Sequence, residues 1–129
     1  MFSIKCANGV GKIVIPRNLG AGGERIAELF LRLLGLTFIG RDRRYGPCQV
    51  DLLFRDGKTL VLVEVKTASG SPLASKSQQL KYTQRNCLRR AARQSLREHP
   101  WAIEVRLDLL FLEVRGTGLI LKYEPDCFY

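Results

Sequence analysis

A chain of 129 residues is enough for one domain around a single buried core, and its apolar (46%) and charged (26%) fractions exclude a disordered or fibrous protein. Lys and Arg number 21 against 12 Asp and Glu, a net charge of +9 that puts nucleic acid first among partners, although an acidic membrane surface or acidic protein fits the charge alone equally well. The chain does not open on a basic region followed by a long apolar stretch, and the LVLV run at 60–63 is far too short to cross a bilayer. A soluble, cytoplasmic protein with no membrane partner is therefore expected.

The first twenty or so residues are punctuated by glycine, with a short β-branched patch at Ile13, Val14 and Ile15, and read as an arm or an edge strand. From Gly23 the pattern changes. Ile26, Leu29, Phe30, Leu33 and Leu34 recur at i, i+3, i+4, i+7 and i+8, one face of a helix that Gly35 ends. Thr37 to Gly40 reads as a short strand, followed by a basic, turn-rich stretch, RDRRYGP. Two apolar runs, 49–54 and 59–66, flank Asp56-Gly57, a strong hairpin signal because both residues tolerate the positive φ of a tight turn. The second run, TLVLVEV, is apolar on both faces and predicts an interior strand. After the small-residue segment ASGSPLASKS, the positions Leu80, Cys87, Leu88, Ala91, Ala92, Ser95 and Leu96 trace a helical face up to His99-Pro100. Residues 102–114 alternate, with Ile103, Val105, Leu107, Leu109 and Phe111 on one face of a strand. Gly116 and Gly118 make a turn before a last short strand, 119–123. The order is helix, three strands, helix, two strands, in one α/β domain spanning 1–129.

Cys6, Cys48, Cys87 and Cys127 stand singly, a spacing that suits neither zinc nor a dense disulfide framework, so reduced thiols are expected. His99 is the only histidine; alone it builds no His-based metal site or triad, and it reads as a helix-end residue.

The chemistry concentrates at the end of the interior strand. Alternation puts Glu64 and Lys66 on one face, about 7 Å apart. Two charged groups emerging from so apolar a strand require a partner or an ion, since burying them unpaired costs several kcal/mol. The hairpin makes the strand carrying Asp51 an antiparallel neighbour, so Asp51 approaches Glu64. Carboxylates that close repel unless a divalent cation sits between them, and oxygen-only ligation suits Mg²⁺ or Mn²⁺. A lysine beside them can position or deprotonate water, or stabilise charge on a phosphate. Asp51 and Glu64 are thus the candidate metal ligands and Asp51, Glu64 and Lys66 the candidate catalytic residues of a phosphodiester hydrolase. The competing reading is a surface strand with a cross-strand ion pair, because E-x-K arises often by chance in so charged a chain.

Basic residues point the same way. On the second helix Lys81, Arg85, Arg89, Arg93 and Arg97 recur every four residues, with Arg90 alongside. A solvated basic face is the ordinary meaning of such a row, but like charges at i, i+4 repel and a phosphate backbone relieves that repulsion. Arg41, Arg43 and Arg44, with Tyr45, form a second cluster upstream of Asp51, suited to a scissile phosphate or a splayed base. Nothing in either cluster reads base edges, so structure-selective binding is expected.

Asp51, the VEVK at 63–66 and the flanking helices resemble the PD-(D/E)xK restriction-endonuclease-like superfamily, and more narrowly the YraN family of small endonuclease-like proteins. The residues that carry the resemblance are Gly23-Glu24 with Ala27, Val50-Asp51-Leu52, LVLVEVK at 60–66, Leu88 to Ala92, and Arg106-Leu107-Asp108, which together cover roughly residues 20 to 128. The resemblance implies a mixed β-sheet flanked by helices, in the order αβββαββ, a divalent-metal site, and kinship with Holliday-junction resolvases. That kinship suggests a two-fold homodimer. It adds Glu24 as a further acidic residue near the metal, where the helix dipole alone also favours a glutamate. It also adds Gln84 in the second helix, otherwise a solvated helix residue. Two departures stand out. Cys48-Gln49 replaces the Gly-Glu that usually precedes the strand aspartate, removing one negative charge on the face of Asp51, and Tyr123 stands where the family carries a late histidine.

The leading expectation is a divalent-metal-dependent nuclease acting on branched or single-stranded DNA, with RNA a lesser candidate. The alternatives are a non-catalytic nucleic-acid-binding module on the same fold and an adaptor for an acidic protein.

Overall fold

The computed structural model describes the backbone of residues 5–7, 10–12, 22–69, 82–115 and 118–126. Its elements are β1 (Lys5–Ala7), β2 (Val10–Lys12), α1 (Gly23–Leu33), β3 (Thr37–Tyr45), β4 (Cys48–Asp56), β5 (Thr59–Ser69), α2 (Tyr82–Glu98), β6 (Glu104–Arg115) and β7 (Gly118–Glu124). They form one mixed sheet in the order β1-β2-β7-β6-β5-β4-β3, with β5 and β6 parallel and every other neighbouring pair antiparallel. The expected αβββαββ order is present, preceded by a small hairpin, β1–β2, on the edge of β7. The β-branched patch at 13–15 lies outside the described residues.

The interior strand is interior for the reason its composition gave. Leu60, Val61, Leu62 and Val63 are all buried, and successive residues face opposite sides of the sheet. Val61 and Val63 join Leu52, Phe54, Leu110 and Leu112 under α1, whereas Leu60 and Leu62 join Val50, Leu53 and Leu107 under α2. β6 is buried on both faces too, where the sequence pattern predicted only one. Its parallel pairing to β5 places it between two neighbours, and Ile103, assigned to the apolar face, precedes the strand and is exposed.

α1 ends as expected, at Gly35 with φ +95°. Gly35 N–H donates to Arg32 O and Leu36 N–H to Leu31 O, the paired bonds of a Schellman cap. Its buried face, however, is rotated from the predicted one. Ile26, Ala27, Phe30 and Leu31 are buried, while Leu29, Leu33 and Leu34 are 50%, 68% and 43% exposed. The rotation is set by the close approach of the helix start to the sheet. A Cβ on Gly23 would stand 2.4 Å from Thr67 Cγ2 and 3.1 Å from Leu112 Cδ1, so only glycine lets the first turn lie there.

β3 is longer than the short strand predicted at its start. The stretch Arg41 to Tyr45 continues the strand, because its backbone pairs with β4 from Arg41↔Leu52 to Tyr45↔Cys48. A register shift between Phe38 and Gly40 and a φ of +52° at Asp42 distort this ladder. Tyr45 is buried with Cys48 and Leu88 and offers no ring to a splayed base.

The expectation of four reduced thiols is corrected at two positions. Cys48 at the start of β4 and Cys87 in α2 are joined by a disulfide, with Cα atoms 5.4 Å apart. Sequence separation of 39 residues gave no sign of it, since only the packing of α2 across β4 brings the two together.

Candidate functional site

The β4–β5 ladder runs from Asp56↔Thr59 to Leu52↔Val63 and stops there. Beyond it, a side chain takes over from the backbone: Asp51 Oδ2 accepts a hydrogen bond from Val65 N–H at 2.8 Å. That bond turns the Asp51 carboxylate toward β5 and against Glu64. Glu64 Oε1 receives Gln84 Nε2 from α2 at 2.9 Å and Lys66 Nζ at 3.2 Å. The hairpin register therefore brings Asp51, Glu64 and Lys66 together, and α2 adds Gln84 above them.

Glu24, in the first turn of α1, approaches from the other side. Carboxylate oxygens of Glu24, Asp42 and Asp51 all lie within 4.8 Å of one another. Asp42 is the site residue that sequence reasoning missed. Strand alternation could not place it, because its positive φ breaks the period of two. It lies between the partners Arg41↔Leu52 and Arg43↔Val50, across the ladder from Asp51. Gln49, the departure from the family pattern, donates its Nε2 to Asp42 Oδ1 at 3.2 Å.

The electrostatics follow from this crowding. Burial, then the charge of Asp51, pushes the Glu64 carboxyl up to about 7, against the pull of Lys66. Burial also raises Asp51, opposed by the Val65 N–H. Glu24 is raised by burial first, then by Asp51 and Asp42, with Arg41 opposing. The Asp51–Glu64 pair thus holds on, up to near neutral pH, to a proton that two separate carboxylates would already have released at about pH 4. Glu24, Asp42 and Asp51, with Glu64 beside Asp51, offer oxygen donors alone, the ligand type that hard divalent cations take.

Asp51, Glu64, Gln49 and Gln84 line an open cleft of about 450 Å³, with Cys48, Cys87 and Leu88 as its wall. On α2, Arg85, Arg89, Arg90, Arg93 and Arg97 are exposed, while Lys81 lies outside the described residues. The second basic cluster does not stay together. Arg41 is tied to Glu28 at 2.7 Å and lies over the Phe38 ring, whereas Arg43 and Arg44 are exposed. Tyr123, in the place of the late histidine, hydrogen-bonds the fully buried Asp108, which also accepts from Arg106 Nε at 2.9 Å and Asp126 N–H at 2.8 Å. Those bonds satisfy a buried carboxylate on β6 and make Tyr123 a structural residue.

A mixed sheet with a helix on each face and a carboxylate–lysine cluster where two central strands part defines an α/β protein of the restriction-endonuclease-like pattern. The model of the uncharacterised protein family UPF0102 matches residues 23–114, and the chain belongs to this family, the YraN family of the sequence resemblance. A UPF0102 protein of Nitratidesulfovibrio vulgaris is 34% identical over 110 residues, covering 84% of this chain and 82% of its own. One from Beutenbergia cavernae is 40% identical over 93 residues, covering 71% and 79%. One from Frankia casuarinae is 36% identical over 101 residues, covering 78% and 86%. Among solved structures, Pyrococcus furiosus SfsA in complex with Ca²⁺ is 18% identical with a TM-score of 0.34, covering 98% of this chain and 75% of that one, a likeness too slight to carry any argument.

Proposed function

We propose that this chain is a cytoplasmic, divalent-metal-dependent nuclease that hydrolyses phosphodiester bonds of DNA, selecting its substrate by structure. The observation that carries the reading is the meeting of Asp51 and Glu64, one ladder step beyond the end of the β4–β5 pairing, beside Lys66 and within reach of Glu24 and Asp42. Structural ion pairs alone do not account for it, because Glu24, Asp42 and Asp51 gather within 4.8 Å and Glu64 hydrogen-bonds Asp51, while among the described residues Lys66 pairs with Glu64 and Arg41 with Glu28 nearby.

The residues present fit Mg²⁺ or Mn²⁺, with Asp51 and Glu64 as ligands and Glu24 and Asp42 completing the negative field. Such an ion, when bound, supplies Lewis acidity toward a phosphate oxygen and neutralises charge in the reacting group. Asp51 is held in place by the Val65 N–H, and Gln84 fixes the orientation of Glu64. Lys66 Nζ, on the exposed rim of the cluster, is placed to donate a hydrogen bond to a phosphate oxygen or to take a proton from the attacking water. The arginines of α2 neutralise the phosphates that flank the scissile one. A two-fold homodimer is the assembly proposed for symmetric branched substrates.

A screen of duplex, single-stranded, flapped and four-way DNA with Mg²⁺ or Mn²⁺ tests the reading. Cleavage that is lost in Asp51→Asn supports it; the absence of metal-dependent cleavage on every substrate, DNA and RNA, overturns it. A second reading, a nucleic-acid-binding module without catalysis, is favoured by Gln49, whose amide binds Asp42 where the family usually places a carboxylate. Tight binding with no cleavage and no metal response selects that alternative.

A further inference from the structure

The disulfide is not remote from the cleft; it is part of its wall. Cys87 follows Gln84 by three residues, so both project from one face of α2 toward the sheet. Cys48 opens β4 three residues before Asp51. The bond therefore ties the helix that carries Gln84 to the strand that carries Asp51, one turn from the Gln84–Glu64 hydrogen bond.

We propose that the Cys48–Cys87 disulfide is a thiol-controlled clamp that positions Gln84 on Glu64, so that reduction loosens the candidate site. Cys48 is 2% exposed, while Cys87 is half-buried and faces the cleft, so the Cys87 sulfur is the one open to attack. The reductant is a dithiol. One of its thiolates attacks Cys87 Sγ and displaces the Cys48 thiolate, which takes a proton. The second thiol then resolves the mixed disulfide, leaving two protein thiols and one cyclic disulfide, a transfer of two electrons and two protons.

On reduction the sulfurs must separate from bonding distance to van der Waals contact, on the order of 1–2 Å. The sheet is the stiffer partner, since β4 is paired to β3 as far as Tyr45↔Cys48 and to β5 from Leu52 onward, so the first turns of α2 take up the movement. A donor–acceptor distance of 2.9 Å between Gln84 and Glu64 does not survive a displacement of that size. A misplacement of about 1 Å costs up to about a hundredfold in a catalysed rate.

The cleavage arm of the test rests on the nuclease reading, but the exchange arm does not. The air-oxidised protein and the same protein treated with dithiothreitol are compared by hydrogen exchange at amides 86–89 and 91–96, with alkylation confirming the state of both cysteines. The clamp predicts that reduction speeds exchange at 86–89 at least about tenfold and leaves 91–96 unchanged. It predicts that Cys87→Ser behaves as the reduced protein with or without dithiothreitol. Cleavage should fall about ten- to a hundredfold on reduction of the wild type, and less than twofold in Gln84→Ala, where the positioned group is already gone. Exchange that is unchanged after both thiols have been freed overturns the proposal, as does alkylation of Cys48 and Cys87 in protein never exposed to reductant. Exchange that responds while neither state cleaves DNA supports the clamp and counts against the nuclease reading alone.

Discussion

Glu64→Gln isolates the repulsion built into the carboxylate pair. An exposed glutamate titrates near 4.5, and in the fold Glu64 titrates at about 7, raised by burial and by Asp51. Between those two values the folded state binds more protons than the unfolded state, so stability falls as pH rises through the window. The gap is equivalent to about 3 kcal/mol, present in full below pH 4.5 and lost above pH 7. Glutamine keeps the shape and the neutrality at every pH, but it gives up the partly exposed ion pair with Lys66, worth about 0–1 kcal/mol. Net, the variant should be about 2–3 kcal/mol more stable than the wild type at pH 8, about 10 °C in melting temperature for a domain of this size. The two proteins should converge near pH 5. Urea unfolding, followed by the fluorescence of Trp101, the single tryptophan, measures the difference at each pH. If the gap between wild type and variant is the same at pH 5 and pH 8, Glu64 is not under the strain described, and the case for an ion-requiring pair fails with it.

The wild type should gain stability with Mn²⁺ at pH 8, by about 2.7 kcal/mol at a hundred times the dissociation constant, and Asp51→Asn should abolish the gain without lowering the metal-free melting temperature. Lys66→Ala should keep that metal response while losing cleavage; loss of both by differential scanning calorimetry and gel assay would return Lys66 to a merely structural role. DNA affinity should fall with salt at a log–log slope of about −3 to −4 if the α2 row makes about four phosphate contacts, and Arg85→Ala with Arg93→Ala should flatten it by up to about two. An unchanged slope in fluorescence anisotropy moves the binding surface elsewhere. For the rotated face of α1, Leu31→Ala should cost about 2–5 kcal/mol and Leu33→Ala no more than about 0.5 in urea titrations, and the reverse ranking restores the predicted face.

What was legible in the sequence was whatever a local period or turn dictates. The Asp56-Gly57 turn fixes the register of β4 against β5, and from that register the approach of Asp51 to Glu64 follows without further information. The doubly apolar 60–63 run required cover on both sides, which the two helices supply. What escaped were features decided by contacts distant in sequence. The leucines of α1 predict one stripe, but the fold buries the small Ala27 beside Leu31, because Gly23 lets the helix start press on Thr67 and Leu112. Asp42 looked like a turn residue among arginines; its left-handed backbone is what faces it toward Asp51 and Glu24. The pairing of Cys48 with Cys87 depends on where α2 crosses the sheet, which no spacing of cysteines records.

That pairing also divides the site by covalent topology. The bridge closes a ring across a separation of 39 residues, and Asp51, Glu64, Lys66 and Gln84 all lie inside it, while Glu24 and Asp42 lie outside. In the chain-entropy view a ring of that size removes about 4 kcal/mol of freedom from the unfolded state. An oxidised chain that unfolds therefore still carries most of its site on one closed loop, and a single backbone cut within it, after the exposed Lys58 for instance, leaves one covalent molecule. Glu24 and Asp42 rejoin that loop only when α1 and β3 dock, so the acidic cluster is completed by folding even where the ring has kept the rest of it close at hand.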